Sequence, residues 1–432
     1  MAAPRPKRPP PFPTLPGLVA LSACLAAVSC GPADDQIPPG SASQVYQGAT
    51  LIFGDGRSPV QGGILVVSEG RIVAAGDQQD VPVPDGAETI DVSGKTIMPA
   101  VINAHVHLPP QREARIQSLR HMAYWGTGLA VSLGHDSGTD AFTVRDATTP
   151  GAARSLTAGR GITTPEPGRS EVPYWVTTPD EASSAVDELA RQGVDIIKIW
   201  VDDRGGQYEK LGPELYGAVI ETAHGHGLPV TAHIFTLEDA KGLLRSGIDA
   251  FAHGIRDRDV DDELVDLWME RPDVVLVPNL PGPGVAEDLS WLSETVPDEA
   301  VAEMQAGSVD RPEAREAFGI QARNLVRLSE AGVPIAFGTD GGSPWAIHQE
   351  MADMVRAGLS PAQVIQAATG TSAAFMGVED AGTLDPGKRA DFVVLDANPL
   401  EDIANTKRID SVVLAGEALD REDLAAQLKA GG

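Results

Sequence analysis

Two rhythms of apolar positions divide the chain. Toward each end, short β-rich runs are punctuated by Gly and Asp turns. They are Ala49 to Phe53, Gly63 to Val67, Arg71 to Ala75 and Thr89 to Val92 on one side, and Ala390 to Leu395 and Ile409 to Leu414 on the other. Between them, apolar strand-length runs alternate with helical periodicity, the signature of parallel βα units. Thr178-Pro-Asp-Glu181 makes a capping box with proline at the first helical position, and Gly193 stands where that helix should end. Val194 to Trp200 then reads as a strand, Pro213 to Gly225 as a helix and Leu228 to His233 as a strand. Thr236 to Ser246 reads as a helix capped by Thr236, and Ile248 to His253 as the next strand. Val274 to Pro278 and Val333 to Phe337 follow, with Arg323 to Ala331 helical between them. Leu129 to Leu133, Ser155 to Ala158 and Ile97 to Ala104 bring the strands to eight.

Eight such units predict an α/β fold, a (β/α)8 TIM barrel over residues 96–380. The β-rich runs at both ends, 45–95 and 381–425, are expected to join in one small β-sandwich domain. About 390 residues follow position 44, enough for a barrel of about 250 residues and a second module.

Residues 1–30 have the make-up of a secretory leader, with Arg5, Lys7 and Arg8 ahead of an apolar stretch from Leu15 to Val28. That stretch is shorter than a membrane span of roughly 20 residues, although an uncleaved signal anchor is the competing reading. Small residues before a cysteine resemble a bacterial lipobox at two places, Leu21-Ser-Ala-Cys24 and Ala27-Val-Ser-Cys30. Cys30 is favoured for lipidation over Cys24 because a fuller apolar run precedes it and a polar stretch follows. Residues 31–44 lack periodicity and read as a tether. The expectation is a lipid-anchored protein of the bacterial cell envelope, facing the periplasm or the exterior, touching the membrane through the anchor only. With no cysteine beyond these two, disulfides, thiolate–zinc sites and cysteine nucleophiles are excluded from the remaining chain. The formal charge of −28, about −31 without the three leader cations, excludes nucleic acid as a partner. A small-molecule substrate is expected instead, and a homo-oligomer is compatible with the sequence without being specified by it.

Chemistry in a barrel gathers at the C-terminal ends of the strands. His105 and His107, one residue apart at the end of the first strand, point the same way from an extended backbone and offer two imidazole nitrogens to one metal. Taken alone the pair reads equally as two satisfied structural histidines. The other strand ends add Lys198, His233, His253 and, in Gly338-Thr-Asp340, a carboxylate, so four of the nine histidines stand at such positions.

These residues, together with the closing run Gly382-Thr-Leu-Asp-Pro-Gly-Lys-Arg-Ala-Asp-Phe-Val-Val-Leu395, resemble the amidohydrolase superfamily of metal-dependent hydrolases over roughly 45–425. The resemblance implies a first divalent metal held by His105, His107 and Asp340, and a second by His233 and His253. Lys198, carboxylated by carbon dioxide, would bridge two ions, zinc by preference, with manganese, cobalt or iron as alternatives. It also implies hydrolysis of an amide-like C–N bond by metal-activated water, with Asp340 as catalytic proton shuttle. Val194-Asp-Ile-Ile-Lys-Ile and the interval from Lys198 to His233 are most similar to the branch holding imidazolonepropionase-like proteins and Xaa-Pro and Xaa-Arg dipeptidases. This points to a small N-acyl amino acid or dipeptide as substrate. Three stretches depart from that pattern: Gly126-Thr-Gly-Leu-Ala-Val, Ala252 before His253, and Trp200-Val-Asp-Asp-Arg-Gly-Gly206 in place of a small-residue loop.

Strand ends also nominate substrate-binding residues. These are His135 with Asp136, Arg204 with Asp202 and Asp203, Arg256, Asn279, and His348 in the last loop. Arg204 or Arg256 could fork onto a carboxylate, or pair with a neighbouring aspartate. His121, His224 and His226 lie in helical context and are left as structural. Two other functions compete: a single-metal cyclic-amide hydrolase or deaminase in which Lys198 is structural, and a solute-binding lipoprotein on a degenerate hydrolase scaffold.

Overall fold

The computed structural model describes residues 43–169 and 171–431. Cys24, Cys30 and the leader, with nearly all of the 31–44 tether, lie outside the described residues. No helix among those described is long and apolar enough to cross a membrane.

The middle of the chain is TIM-barrel-like. Its parallel strands fall in two ladders. One joins Val101–Val106, Thr127–Ser132 and Arg154–Thr157, and the other joins Tyr174–Trp175, Ile162–Thr163, Ile197–Val201, Val230–Ile234, Ala250–Ala252 and Val275–Val277 in that spatial order. Single backbone bonds link the ladders. Asp195 N–H donates to Thr157 O (2.9 Å) on one flank. On the other, Leu276 N–H donates to Pro334 O (3.0 Å), Ala336 N–H to Leu276 O (2.9 Å) and Ala104 N–H to Phe337 O (2.8 Å). The eighth strand expected over Val333 to Phe337 is therefore not a ladder but a lone bridge at Ile335 between its neighbours. Pro334 within it has no N–H to give, and Gly338 just beyond it offers no side chain to pack.

Local signals account for the helices. Thr178 and Glu181 close a reciprocal capping box, Pro179 opens Pro179–Gln192, and Gly193 ends it in the left-handed conformation at φ 77°. Thr236 caps Leu237–Ser246, and Asp261 caps Asp262–Met269. The periodicity read as Arg323 to Ala331 belongs to a longer helix, Ala314–Glu330. Strands buried on both faces run apolar, as in Val275–Val277, because helices cover the outside and side chains fill the inside.

Strands from both chain ends share one module, as a single sheet of eight strands in which Phe392–Leu395 pairs with Thr96–Pro99 and through it with Ser43–Leu51. The C-terminal strands continue the N-terminal sheet through Thr96–Pro99. Tyr46, Leu51, Leu65, Ile97, Phe392 and Val413 fill its apolar side.

One ion pair sits inside the barrel wall. Arg115 and Asp136 have fully buried side chains and meet directly, while Ser132 Oγ (2.9 Å) and Thr157 Oγ1 donate to the same carboxylate. Asp136, expected near the substrate, is thus turned inward, where its charge is neutralised. Arg115→Ala should cost about 3–5 kcal/mol of folding stability, because it strands a buried carboxylate. Denaturant unfolding checks this, and a loss below about 1 kcal/mol would show that water reaches Asp136.

Candidate metal centre

Four side chains meet where the first, sixth and last strand ends approach. His105 Nε2 and His107 Nε2 each stand 3.0 Å from Asp340 Oδ1, and His253 Nε2 stands 3.3 Å from Asp340 Oδ2. Only His107 meets the carboxylate in hydrogen-bond alignment. His105 Nε2 and His253 Nε2 are buried and, despite their proximity to Asp340, have no hydrogen-bond partner. Donor atoms of His105, His253 and Asp340 all lie within 4.8 Å of one another. Imidazole lone pairs gathered around a carboxylate without hydrogen-bonding it are the arrangement that a shared divalent cation completes.

Backbone conformation aims these groups. His253 (φ 100°), Asn279 (φ 44°), Asp340 (φ 54°) and Arg204 (φ 57°) are four of the six non-glycine residues at positive φ among the described residues. Such strain persists only where surrounding bonds over-determine it. Here both Thr339 N–H (3.1 Å) and Asp340 N–H (2.9 Å) donate to His105 O. Asn103, missed in the sequence reading, adds to this: its Oδ1 accepts from His105 N–H (3.3 Å) and Thr339 N–H (3.2 Å), and its Nδ2 donates to Thr339 Oγ1 (3.0 Å). An asparagine inside an otherwise apolar strand was the available signal. Gly338 has to be glycine, since a Cβ there would lie 2.7 Å from both His105 Cβ and Val277 Cγ1.

Electrostatics keep the imidazoles neutral. Burial, then the positive charge of Lys198, draws His105 down to about 4. Burial draws His233 to about 3, against the pull of its Asp202 hydrogen bond, and takes His253 well below the usual range. A neutral imidazole is the ligating form. Burial works to raise Asp340, but His105, His107 and His253 outweigh it and hold the carboxyl well below the ordinary range. Lys198 is fully buried, its Nζ without a partner, and burial brings it down to about 7, opposed by Asp340 and reinforced by Arg256 and Arg204.

The remaining candidates divide. His135 lies at the same mouth, its ring 4.6 Å from His107 and stacked at 5.2 Å on Trp200, whose indole rests against Gly134 and Gly161. Arg256 keeps Nε and Nη2 buried without partners, in the field of Asp340 and Asp202. Asn279 is not free for substrate: its Oδ1 accepts from His105 Nδ1 (2.9 Å), which directs Nε2 toward Asp340. Arg204 is already committed, to Asp202 (2.7 Å) and to Glu166 (3.1 Å), a buried residue absent from the sequence reading. Asp203 closes a turn by accepting from Gly205 and Gly206 N–H. His348 is away from the site altogether: it lies on helix Ala346–Ala357, buried between Trp125 and Trp291 with Nδ1 on Thr406 Oγ1 (3.1 Å). A loop was expected around it; the helix that begins at Ala346 carries His348 into the core instead. His121, His224 and His226 bond Thr295, Asp249 and Asp187, in structural roles as expected.

The donor set of His105, His253 and Asp340 fits one divalent ion, with His107 on the same carboxylate. A second ion on His233 Nε2 would meet Arg204, since that atom lies 3.1 Å from Arg204 Nη1 and 3.0 Å from Asp202 Oδ2. With Arg204 there, an ion on that nitrogen does not fit.

A model of the amidohydrolase family matches residues 96–419. A protein of Mycobacterium tuberculosis described as uncharacterized is 27% identical over 77% of this chain and 87% of its own length. Ochratoxinase of Aspergillus niger is 25% identical over 83% of this chain and 82% of its length. Among solved structures, a "putative prolidase" from Bifidobacterium longum has a TM-score of 0.73 at 27% identity, covering 90% of this chain and 99% of that one.

Replacing Asn279 by Leu should weaken metal binding by about 10–100-fold, since His105 loses the partner that orients it. Chelator competition on the folded variant measures this. Unchanged affinity would remove Asn279 from that role.

Proposed function

The chain belongs to the amidohydrolase family, metal-dependent hydrolases acting on carbon–nitrogen bonds, and from that premise we propose that it cleaves the amide bond of a small N-acyl amino acid or dipeptide. The observation that carries the reading is the convergence of His105, His107 and His253 on the Asp340 carboxylate, with two imidazole nitrogens turned to it but not hydrogen-bonded. When bound there, a divalent ion supplies Lewis-acid polarisation of the scissile carbonyl and lowers the pKa of water. Zinc suits the three imidazoles and one carboxylate, and manganese, cobalt or iron are compatible.

Asp340 holds and moves the proton. A carboxylate placed here can take a proton from attacking water and pass it to the departing nitrogen. Asn103 and the two N–H groups on His105 O keep it from turning away. Arg256 can offer the Nε and Nη2 edge of its guanidinium to a substrate carboxylate, the geometry for a two-point contact. His135 and Trp200 form a flat wall at the mouth. The likeness to ochratoxinase and to the B. longum protein supports this branch of the family. The bridged two-ion form that the sequence suggests is set aside on the position of Arg204.

The remaining architecture and location belong to the same reading. The two parallel ladders and the bridge at Ile335 are taken as one (β/α)8 barrel over 96–380, with 45–95 and 381–425 as the companion sandwich. Lipidation at Cys30 would place the enzyme on the bacterial envelope, an assignment that rests on residues 1–30 alone.

Asp340→Asn should fold normally and lose about 10²–10⁴-fold in kcat. The assay is a panel of N-acyl amino acids and dipeptides with added zinc, manganese or cobalt. Wild-type turnover in the variant would end the assigned role, and release of ammonia from amino-substituted heterocycles alone would replace amide hydrolysis by deamination.

A further inference from the structure

We infer that Arg204 is a built-in cation at the position where the sequence places a second metal ion, so that the site binds one ion per chain. The inference rests on the metal-dependent reading above. His233 Nε2, Asp202 Oδ2 and Arg204 Nη1 close a triangle with sides of 3.0, 3.1 and 2.7 Å. A metal on this imidazole would stand about 2.0–2.1 Å from Nε2, inside the space that Arg204 Nη1 occupies.

Arg204 is held there from several directions. Its Nε donates to Glu166 Oε1 (3.1 Å), its Nη1 to Asp202 Oδ2, and its backbone N–H to Asp202 Oδ1 (2.9 Å), all on a backbone at φ 57°. Glu166 is only 2% exposed and spends its other oxygen on Arg169 (2.7 Å). Swinging Arg204 outward would therefore leave a buried carboxylate short of its partner, which is costly. The guanidinium cannot lose its proton to accommodate a divalent neighbour. Arg256 stands nearby as a further fixed positive charge. The first ion position is lined by imidazoles and one carboxylate, and among the described residues no lysine or arginine pairs with Asp340, although the charge of Lys198 reaches both His105 and Asp340. The segment responsible is Asp202-Asp203-Arg204, which departs from the small-residue loop of the peptidases this chain resembles. A permanent guanidinium keeps positive charge beside His233 whatever the metal supply.

The test is metal content of the full chain, stripped with chelator, reloaded with excess zinc, desalted and measured by elemental mass spectrometry. Wild type should retain one ion per chain, and His233→Ala should still retain one. Arg204→Met should gain a second ion, which the double variant with His233→Ala loses. Two ions in wild type, falling to one in His233→Ala, would overturn the inference while leaving the metal-dependent reading intact. So would a folded Arg204→Met that stays at one. No retained ion in wild type would overturn both. Because the readout is bound metal, failure of the proposed amide hydrolysis shows separately, in the substrate panel.

Discussion

The site depends on a short backbone seam between the first strand and the last strand segment. Phe337 O accepts from Ala104 N–H, and His105 O accepts from both Thr339 and Asp340 N–H. These bonds force Asp340 into a positive φ and put its carboxylate within 3.0 Å of two imidazoles. Without the seam, Asp340 would be a solvent-facing residue after a loop. The rest of the centre is arranged around it: Gly338 leaves room for His105, Asn103 ties the two segments together, and Asn279 turns the ring.

Charge is managed by the same economy of contacts. Burial alone would push Asp340 toward its neutral form and the histidines away from their charged form. Placing them against each other resolves both tendencies at once, leaving an anionic oxygen ligand among neutral nitrogen ligands. A short distance away the solution is different. Around His233 the compensation comes from an arginine held by two carboxylates, so similar strand ends in one barrel carry two kinds of positive centre.

The contrast between Asp136 and His135 shows how little separation in sequence decides a role. His135 reaches the mouth and stacks on Trp200, whereas Asp136, the next residue, enters the wall and neutralises Arg115. Successive side chains at a strand end leave in different directions, and only the packing around them says which direction leads to substrate. His348 makes the same point at longer range, since a helix begins at Ala346 where a loop was expected.

Much of the architecture was legible because it is local. The capping box at Thr178, the glycine at 193 and apolar strands such as Val275–Val277 depend on neighbours a few residues away, and appear where the pattern puts them. The list of strand-end residues was likewise readable, because a barrel sends its strand ends to one face. What the chain could not state is which of those residues share an atom's distance. Arg204 against His233, Glu166 beneath Arg204, Asn279 on His105 and the bridge that stands in for an eighth strand are all contacts between distant segments. Sequence by itself determined which residues could hold a metal. Tertiary structure decided which of them stand together and which face a fixed cation, because hydrogen-bond reach and like-charge repulsion act across a few ångströms of space, which no spacing along the chain encodes.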